Sequence, residues 1–295
     1  LRRYLVPLIV IALLVGFYFF KDRIFQNWER VNKVALEHTE RANLFIKNHA
    51  DPALIKAELD LALEADSEYS RALYLYALIH LMDGDTALTK QKLHAAVESD
   101  PGYAHAWNIL SVLAFRQDSF ELAMRYGFTA LDADPENTFA AFTMAIQCEE
   151  RGLDRQAEEL YLQAIDRDSL FTEAISNLGA LYNKMNRPID AIRILRKSLK
   201  LSPASQDNFR IYKNLAEAHF ILKEYDQTWA CLLESKTLNP DFAETERCFA
   251  RYYEAKGDPE ASILHWRRYL ALETDSFEVQ KAEFHLDSIR SLLSE

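Results

Sequence analysis

Beyond an uncharged opening stretch, apolar residues recur at intervals of three and four along almost the whole chain, the period of helices that bury one stripe. In a frame of 34 residues, positions 4, 7, 8 and 11 are apolar or small and share one face of a first helix. Positions 20, 24, 27 and 28 do the same for a second helix, and small residues at 8, 20 and 27 let the two backbones approach closely. Neither helix can bury its stripe alone, so each pair must stack on its neighbours. Glycine and proline number only 7 and 8 in 295 residues, too few for the turns of an all-β or loop-rich chain. The pattern predicts an all-α protein.

A repeated phrase marks the period. Ala62–Ser67, Ala96–Pro101, Ala130–Pro135, Ala164–Ser169 and Ser198–Pro203 follow one another at steps of 34 residues. Around them stand Trp107, Leu110 and Ala123; Gly152, Ala157 and Tyr161; Leu178, Gly179, Tyr182, Ala191 and Leu195; then Tyr212, Leu215, Tyr225 and Pro240; then Phe249, Tyr253, Gly257 and Trp266. This arrangement resembles the tetratricopeptide repeat (TPR) family, whose unit reads W-x2-L-G-x2-Y, then A-x3-F-x2-A, then P. The motif's glycine is often another small residue here: Ala77, Ser111, Ala145, Ala216 and Ala250.

Units fall at 36–69, 70–103, 104–137, 138–171, 172–205, 209–242 and 243–276, with an insertion near Gln206, Asp207 and Asn208. The resemblance implies a right-handed α-α superhelix, a TPR solenoid of about seven helix pairs spanning 36–276. A capping helix at 277–295 would cover the last stripe with Val279, Phe284, Leu286, Ile289, Leu292 and Leu293.

The opening stretch is different in kind. Leu5–Phe20 carries no charge and is flanked by Arg2 and Arg3 on one side and Lys21, Asp22 and Arg23 on the other. Its Leu, Ile, Val and Phe residues favour insertion by about −4 to −7 kcal/mol in sum. Small residues that would mark a signal-peptide cleavage site are missing, because Phe17, Tyr18, Phe19 and Phe20 run straight into Lys21. Residues 1–23 therefore read as one transmembrane helix, with 4–20 in contact with a lipid bilayer and 24–35 as a connecting helix. Arg2 and Arg3 favour a cytoplasmic tail and a periplasmic body on a bacterial inner membrane; Lys21, Arg23, Arg30 and Lys33 pull the other way, and the cytoplasmic orientation stays open.

In the TPR family, positions 2, 5, 9 and 12 of the first helices line a concave groove. The resemblance places Tyr74, Leu78, Asn108, Val112, Phe115, Phe139, Phe142 and Ile146 there, followed by Arg210, Lys213, Arg247 and Arg251. Tyr74, Val112, Phe115, Phe139, Phe142 and Ile146 suit an apolar or amphipathic partner segment, the four basic residues its acidic residues or a carboxylate. Dense packing of Tyr74, Phe139 and Phe142 inside a tightly wound superhelix is the alternative. The two-carboxylate clamp of chaperone-docking members is absent, since Glu217 stands where the clamp after Lys213 requires Asn.

A net charge of −11 speaks against a general nucleic-acid binder. Cys148, Cys231 and Cys248 have no zinc-ligand spacing and read as buried thiols, although a Cys231–Cys248 bridge remains open. The eight histidines form no metalloprotease pair, and there is no phosphate loop or nucleophile elbow. No catalytic residue, cofactor, metal, nucleic acid or small-molecule substrate is expected. The sequence predicts a membrane-anchored scaffold or adaptor that holds protein or peptide segments in its groove, within a bacterial envelope assembly, secretion or maturation complex. The alternatives are a cytoplasm-facing receptor that delivers substrate to a membrane machine, and a regulatory subunit of a membrane enzyme.

Overall fold

The computed structural model describes residues 33–294. Helix α1 occupies 33–47 and precedes α2 (Pro52–Ala65). Pairs follow: α3 (Ser70–Met82) with α4 (Thr86–Ser99), α5 (Ala104–Arg116) with α6 (Phe120–Ala133), and α7 (Thr138–Glu150) with α8 (Asp154–Arg167). Next come α9 (Thr172–Lys184) with α10 (Pro188–Leu201), α11 (Asn208–Ile221) with α12 (Tyr225–Leu238), α13 (Ala243–Lys256) with α14 (Pro259–Leu272), and α15 (Ser276–Ser294). Among the described residues there is no strand. The chain divides into two compact units, one ending at Ala140 and the other beginning at Ala141, with the division inside α7.

No helix among the described residues is long and apolar enough to cross a membrane. The anchor expected at 1–23 lies outside them, as does the connecting segment up to residue 32.

The period is visible in the turns. The first helix of each pair ends in a left-handed residue: Gly84, Asp118, Gly152, Asn186, Lys223 and Gly257, with φ of 79°, 59°, 73°, 58°, 60° and 73°. The next residue's N–H then reaches back five positions, as in Asp85 to His80 O (2.8 Å), Leu153 to Cys148 O (2.9 Å) and Glu224 to His219 O (2.9 Å). This Schellman closure satisfies carbonyls that a helix end would otherwise leave bare. The repeated Asp explains the sequence phrase. The carboxylates of Asp66, Asp100, Asp134 and Asp168 each accept the N–H two residues on, at 3.0, 2.9, 3.1 and 2.9 Å, folding the chain into the next pair. Asp51, Asp85 and Asp258 cap second helices in the same economical way, accepting from Ala53, Leu88 and Ala261 at 2.9, 3.0 and 3.0 Å.

Small residues set the spacing within pairs. Ala123, Ala157 and Ala191 of second helices are all fully buried, and so are Ala77, Ser111 and Ala145 of first helices. Ser111 Oγ donates to Ala123 O at 2.8 Å, which shows how near the two backbones lie. In the N-terminal unit Leu73, Leu93, Leu110 and Leu113 fill the space between pairs. In the C-terminal unit one cluster centres on Leu232 and Phe249 and another on Trp266, Tyr269 and Leu286. Each buried Leu or Phe side chain contributes roughly 1.5–3 kcal/mol.

One expectation is corrected here, and one alternative is settled. Phe284 does not join the cap: it is 80% exposed, while Ala282 and Leu286 turn inward with Ile289 against Trp266 and Tyr269. A 100° step per residue puts Phe284 opposite Leu286 and Ala282, so both cannot be buried by one neighbour. Cys231 and Cys248 are thiols and not a bridge. The side chains of Leu292 and Leu293 lie outside the described set.

Candidate functional site

The first helices present the predicted groove positions very unequally. In the N-terminal unit Tyr74, Leu78, Val112 and Phe115 are half-buried. The Tyr74 ring meets Tyr103 edge-on at 5.3 Å and His105 at 6.0 Å, and burial raises its hydroxyl pKa. Tyr103 is pushed up to about 12, chiefly by burial. Asn108 departs from expectation. It is buried, and its Oδ1 accepts no hydrogen bond, so it belongs to the interior between pairs and not to an open groove. Phe139 is the reverse, a phenyl ring 64% exposed.

In the C-terminal unit Phe142 packs on Phe171 at 4.8 Å and Tyr161 at 6.1 Å, and it is half-buried like Ile146. Two amides cross between α9 and α11. Asn183 Nδ2 donates to Asn214 O at 2.9 Å, and Asn214 Nδ2 donates to Ser176 O at 2.8 Å. Asn214 is 2% exposed and escaped the sequence reading, because its position in the unit is one the motif does not specify.

The cations gather on α11 and α13. Arg210 lies over the rings of Phe209 and Phe242 at 5.2 and 5.5 Å. Lys213 Nζ is 3.3 Å from Glu217, whose other oxygen is 3.8 Å from Arg251. The Arg251 guanidinium also covers Phe220 at 5.4 Å. Arg247 sits 3.7 Å from Glu278 of α15 and 5.9 Å from the Tyr269 ring. Among the described residues Arg210, Arg247 and Arg251 donate no hydrogen bond; Arg187, away from this face, donates to both Glu158 and Asp190 at 2.8 Å. Beneath them burial pushes the Cys248 thiol up to about 12, with Glu217 adding to the effect, so it is not a nucleophile at neutral pH.

A pocket of about 320 Å³ opens between α13, α14 and α15, with Trp266, Tyr269 and Ala282 as its apolar lining and Arg247, Arg251, Lys281 and His285 as its basic one. Its Glu254 is held by one oxygen, Oε1 accepting from Trp266 Nε1 (2.6 Å) and Ser262 Oγ (3.0 Å) and facing His285 Nε2 (3.1 Å). Sequence reasoning found the arginines and missed this pocket. The only advance signal was Glu278, Lys281 and His285 at three- and four-residue steps on one helix. No group of His, Cys, Asp or Glu among the described residues could hold a metal ion.

Stacked helix pairs with this turn and cap chemistry define a TPR-type solenoid. By sequence, residues 90–138 match the family described as tetratricopeptide repeat. No curated protein matches the chain. Among solved structures it is similar to pilF of Pseudomonas aeruginosa, at 22% identity over 74% of this chain and 98% of that one, with a TM-score of 0.58. It is also similar to PilW, described as a widely conserved type IV pilus biogenesis factor, at 18% identity over 64% and 86% (TM-score 0.55). Yeast Tom70 matches at 14% identity over 94% and 58% (TM-score 0.57). At these identities the likeness is one of fold.

Proposed function

We propose that this protein is a membrane-anchored scaffold that binds segments of protein partners on the faces of its first helices, in a bacterial envelope assembly, secretion or maturation complex. Residues 4–20 would hold it at the bilayer, with the repeats on the periplasmic side. The observation that carries the reading is the α11–α13 face. Its arginines are stacked on aromatic rings, keep their N–H groups unbonded and stand beside an apolar-lined pocket, which is chemistry suited to recognition. Charged groups that served only solubility would be solvated on the opposite side of the helices, without an aromatic bed. The fold likeness to a pilus biogenesis factor agrees with a role in assembly.

The test is site-specific photocrosslinking of the intact protein in its own membrane. Photoreactive residues in place of Phe139 and Arg210 should trap a discrete partner that one in place of Arg193 does not. Equal trapping from all three positions, or none from the first two, refutes the reading. Deleting residues 1–23 should release the protein from sedimenting membranes. A reporter fused after Glu295 should be active only outside the cytoplasm.

A further inference from the structure

We propose that the pocket between α13, α14 and α15 is a two-part receptor for an acidic partner segment. A large apolar side chain of the segment enters over Trp266 and Tyr269, and a neighbouring carboxylate of the segment binds Arg251 and Arg247. The inference rests on the scaffold reading above and adds the chemistry of what is bound.

The first support is size and lining. About 320 Å³ is more than one leucine or phenylalanine side chain fills and is at the small end of ligand pockets. The apolar lining is rigid, because Trp266 and Tyr269 are 6% and 1% exposed and the indole is pinned to Glu254 at 2.6 Å. An anchor of that kind loses little entropy when it receives a side chain.

The second support is how the ions pair. Glu217 has two cationic neighbours, Lys213 at 3.3 Å and Arg251 at 3.8 Å. Glu278 repeats the arrangement with Lys281 at 2.9 Å and Arg247 at 3.7 Å. In both cases the lysine is the closer partner, and the arginine stands beyond hydrogen-bond range. Each glutamate therefore keeps a lysine when its arginine turns to a ligand. The two guanidinium forks are available without stranding a carboxylate, and a fork is the shape that takes a carboxylate through two parallel bonds. Glu254 holds Ser262 and the indole through Oε1 and is paired with neither arginine. Arg247, Arg251, Lys213 and Lys281 stand among Glu217, Glu254 and Glu278, with Glu244 acting on Arg247 and Glu273 on Tyr269, so the attraction for a carboxylate is the local one of the two forks and not a net positive field.

The test uses the full chain in detergent and a fluorescein-labelled eight-residue peptide of alternating glutamate and leucine, acetylated and amidated, read by anisotropy. Arg251→Gln should weaken binding about ten-fold or more. Glu217→Gln, which removes a competing anion, should tighten it about two- to five-fold. Ala282→Phe fills the pocket and should weaken this peptide but not its alanine-for-leucine counterpart. A free C-terminus on the peptide should bind no better than the amide, because a side-chain carboxylate is the ligand; a preference for the free chain end overturns that assignment. Should Ala282→Phe fail to fold, the two ion-pair variants decide the matter. Unchanged affinity in both, or no binding by the unaltered chain at millimolar peptide, overturns the inference. The crosslinking experiment judges the scaffold reading separately, since partners trapped at Phe139 or Arg210 would stand whatever this pocket does.

Discussion

Gly179 is where the spacing of a helix pair can be measured by one methyl group. It lies on α9 and faces α10, and a Cβ placed there would be 2.6, 2.8 and 2.9 Å from Leu195 Cδ2, Cγ and Cδ1. Leu195 is fully buried, so its side chain cannot swing clear into solvent. Gly179→Ala gains about 0.8–1 kcal/mol of helix propensity. Overpacking costs about 1–3 kcal/mol, so the net effect should range from neutral to a loss of about 2 kcal/mol. Leu195→Ala alone should cost about 2–5 kcal/mol, from lost burial and the cavity left behind. That second change also removes all three clashing atoms. In the Leu195→Ala background, Gly179→Ala should therefore change sign and stabilise by about 1 kcal/mol, recovering the propensity term in full. Urea unfolding followed by far-UV circular dichroism across the four variants measures the cycle. Additive effects, or a Gly179→Ala protein more stable than the parent in the unaltered background, would refute the close approach of α9 and α10.

Lys223 holds a left-handed conformation at φ 60° with no side-chain reason to do so. Lys223→Gly should raise stability by about 0.5–1 kcal/mol, with a smaller gain for Asp118→Gly, and a lower urea midpoint would contradict this. His265 is buried between the rings of Phe249 and Tyr253, with Nδ1 2.6 Å from the buried carboxylate of Glu246, which also takes Lys236. Burial, then Arg268 and Lys236, push its pKa down from 6.5 to about 4. The unfolded chain therefore takes up a proton first as the pH falls. The stability tied to a neutral His265 is complete above pH 6.5 and drains away towards pH 4. Stability titrations of His265→Gln should show a flatter slope across that window, and an unchanged slope would assign the acid sensitivity elsewhere. Phe139→Glu should leave stability within about 0.5 kcal/mol, because the ring is exposed; a loss of folding would show instead that the ring is structural.

Much of the fold was legible because it is a matter of period. A stripe recurring every 34 residues forces helix pairs to stack whatever the details. The small residues that mark the contacts, Ala123, Ala157 and Ala191, are all fully buried. The repeated Asp was visible as a letter, and the structure supplies its work as a turn acceptor at Asp66, Asp100, Asp134 and Asp168. The candidate site was legible only in part. Asn108 and Phe139 were both read as groove residues; Asn108 is buried, whereas Phe139 is 64% exposed. Arg247 and Arg251 were found, whereas the pocket they border draws its remaining wall from α14 and α15.

The sequence alone determined which face of each helix is apolar, where each helix stops and that neighbours must pack. These are local properties, set by side-chain periodicity and turn chemistry within a few residues. Only the tertiary structure decided that Arg251 stands beside Glu217, that Arg247 stands beside Glu278 and that Trp266 and Tyr269 line a cavity. Those outcomes depend on which side chains from distant helices meet, and a residue's angle on its own helix does not specify its neighbours across the gap.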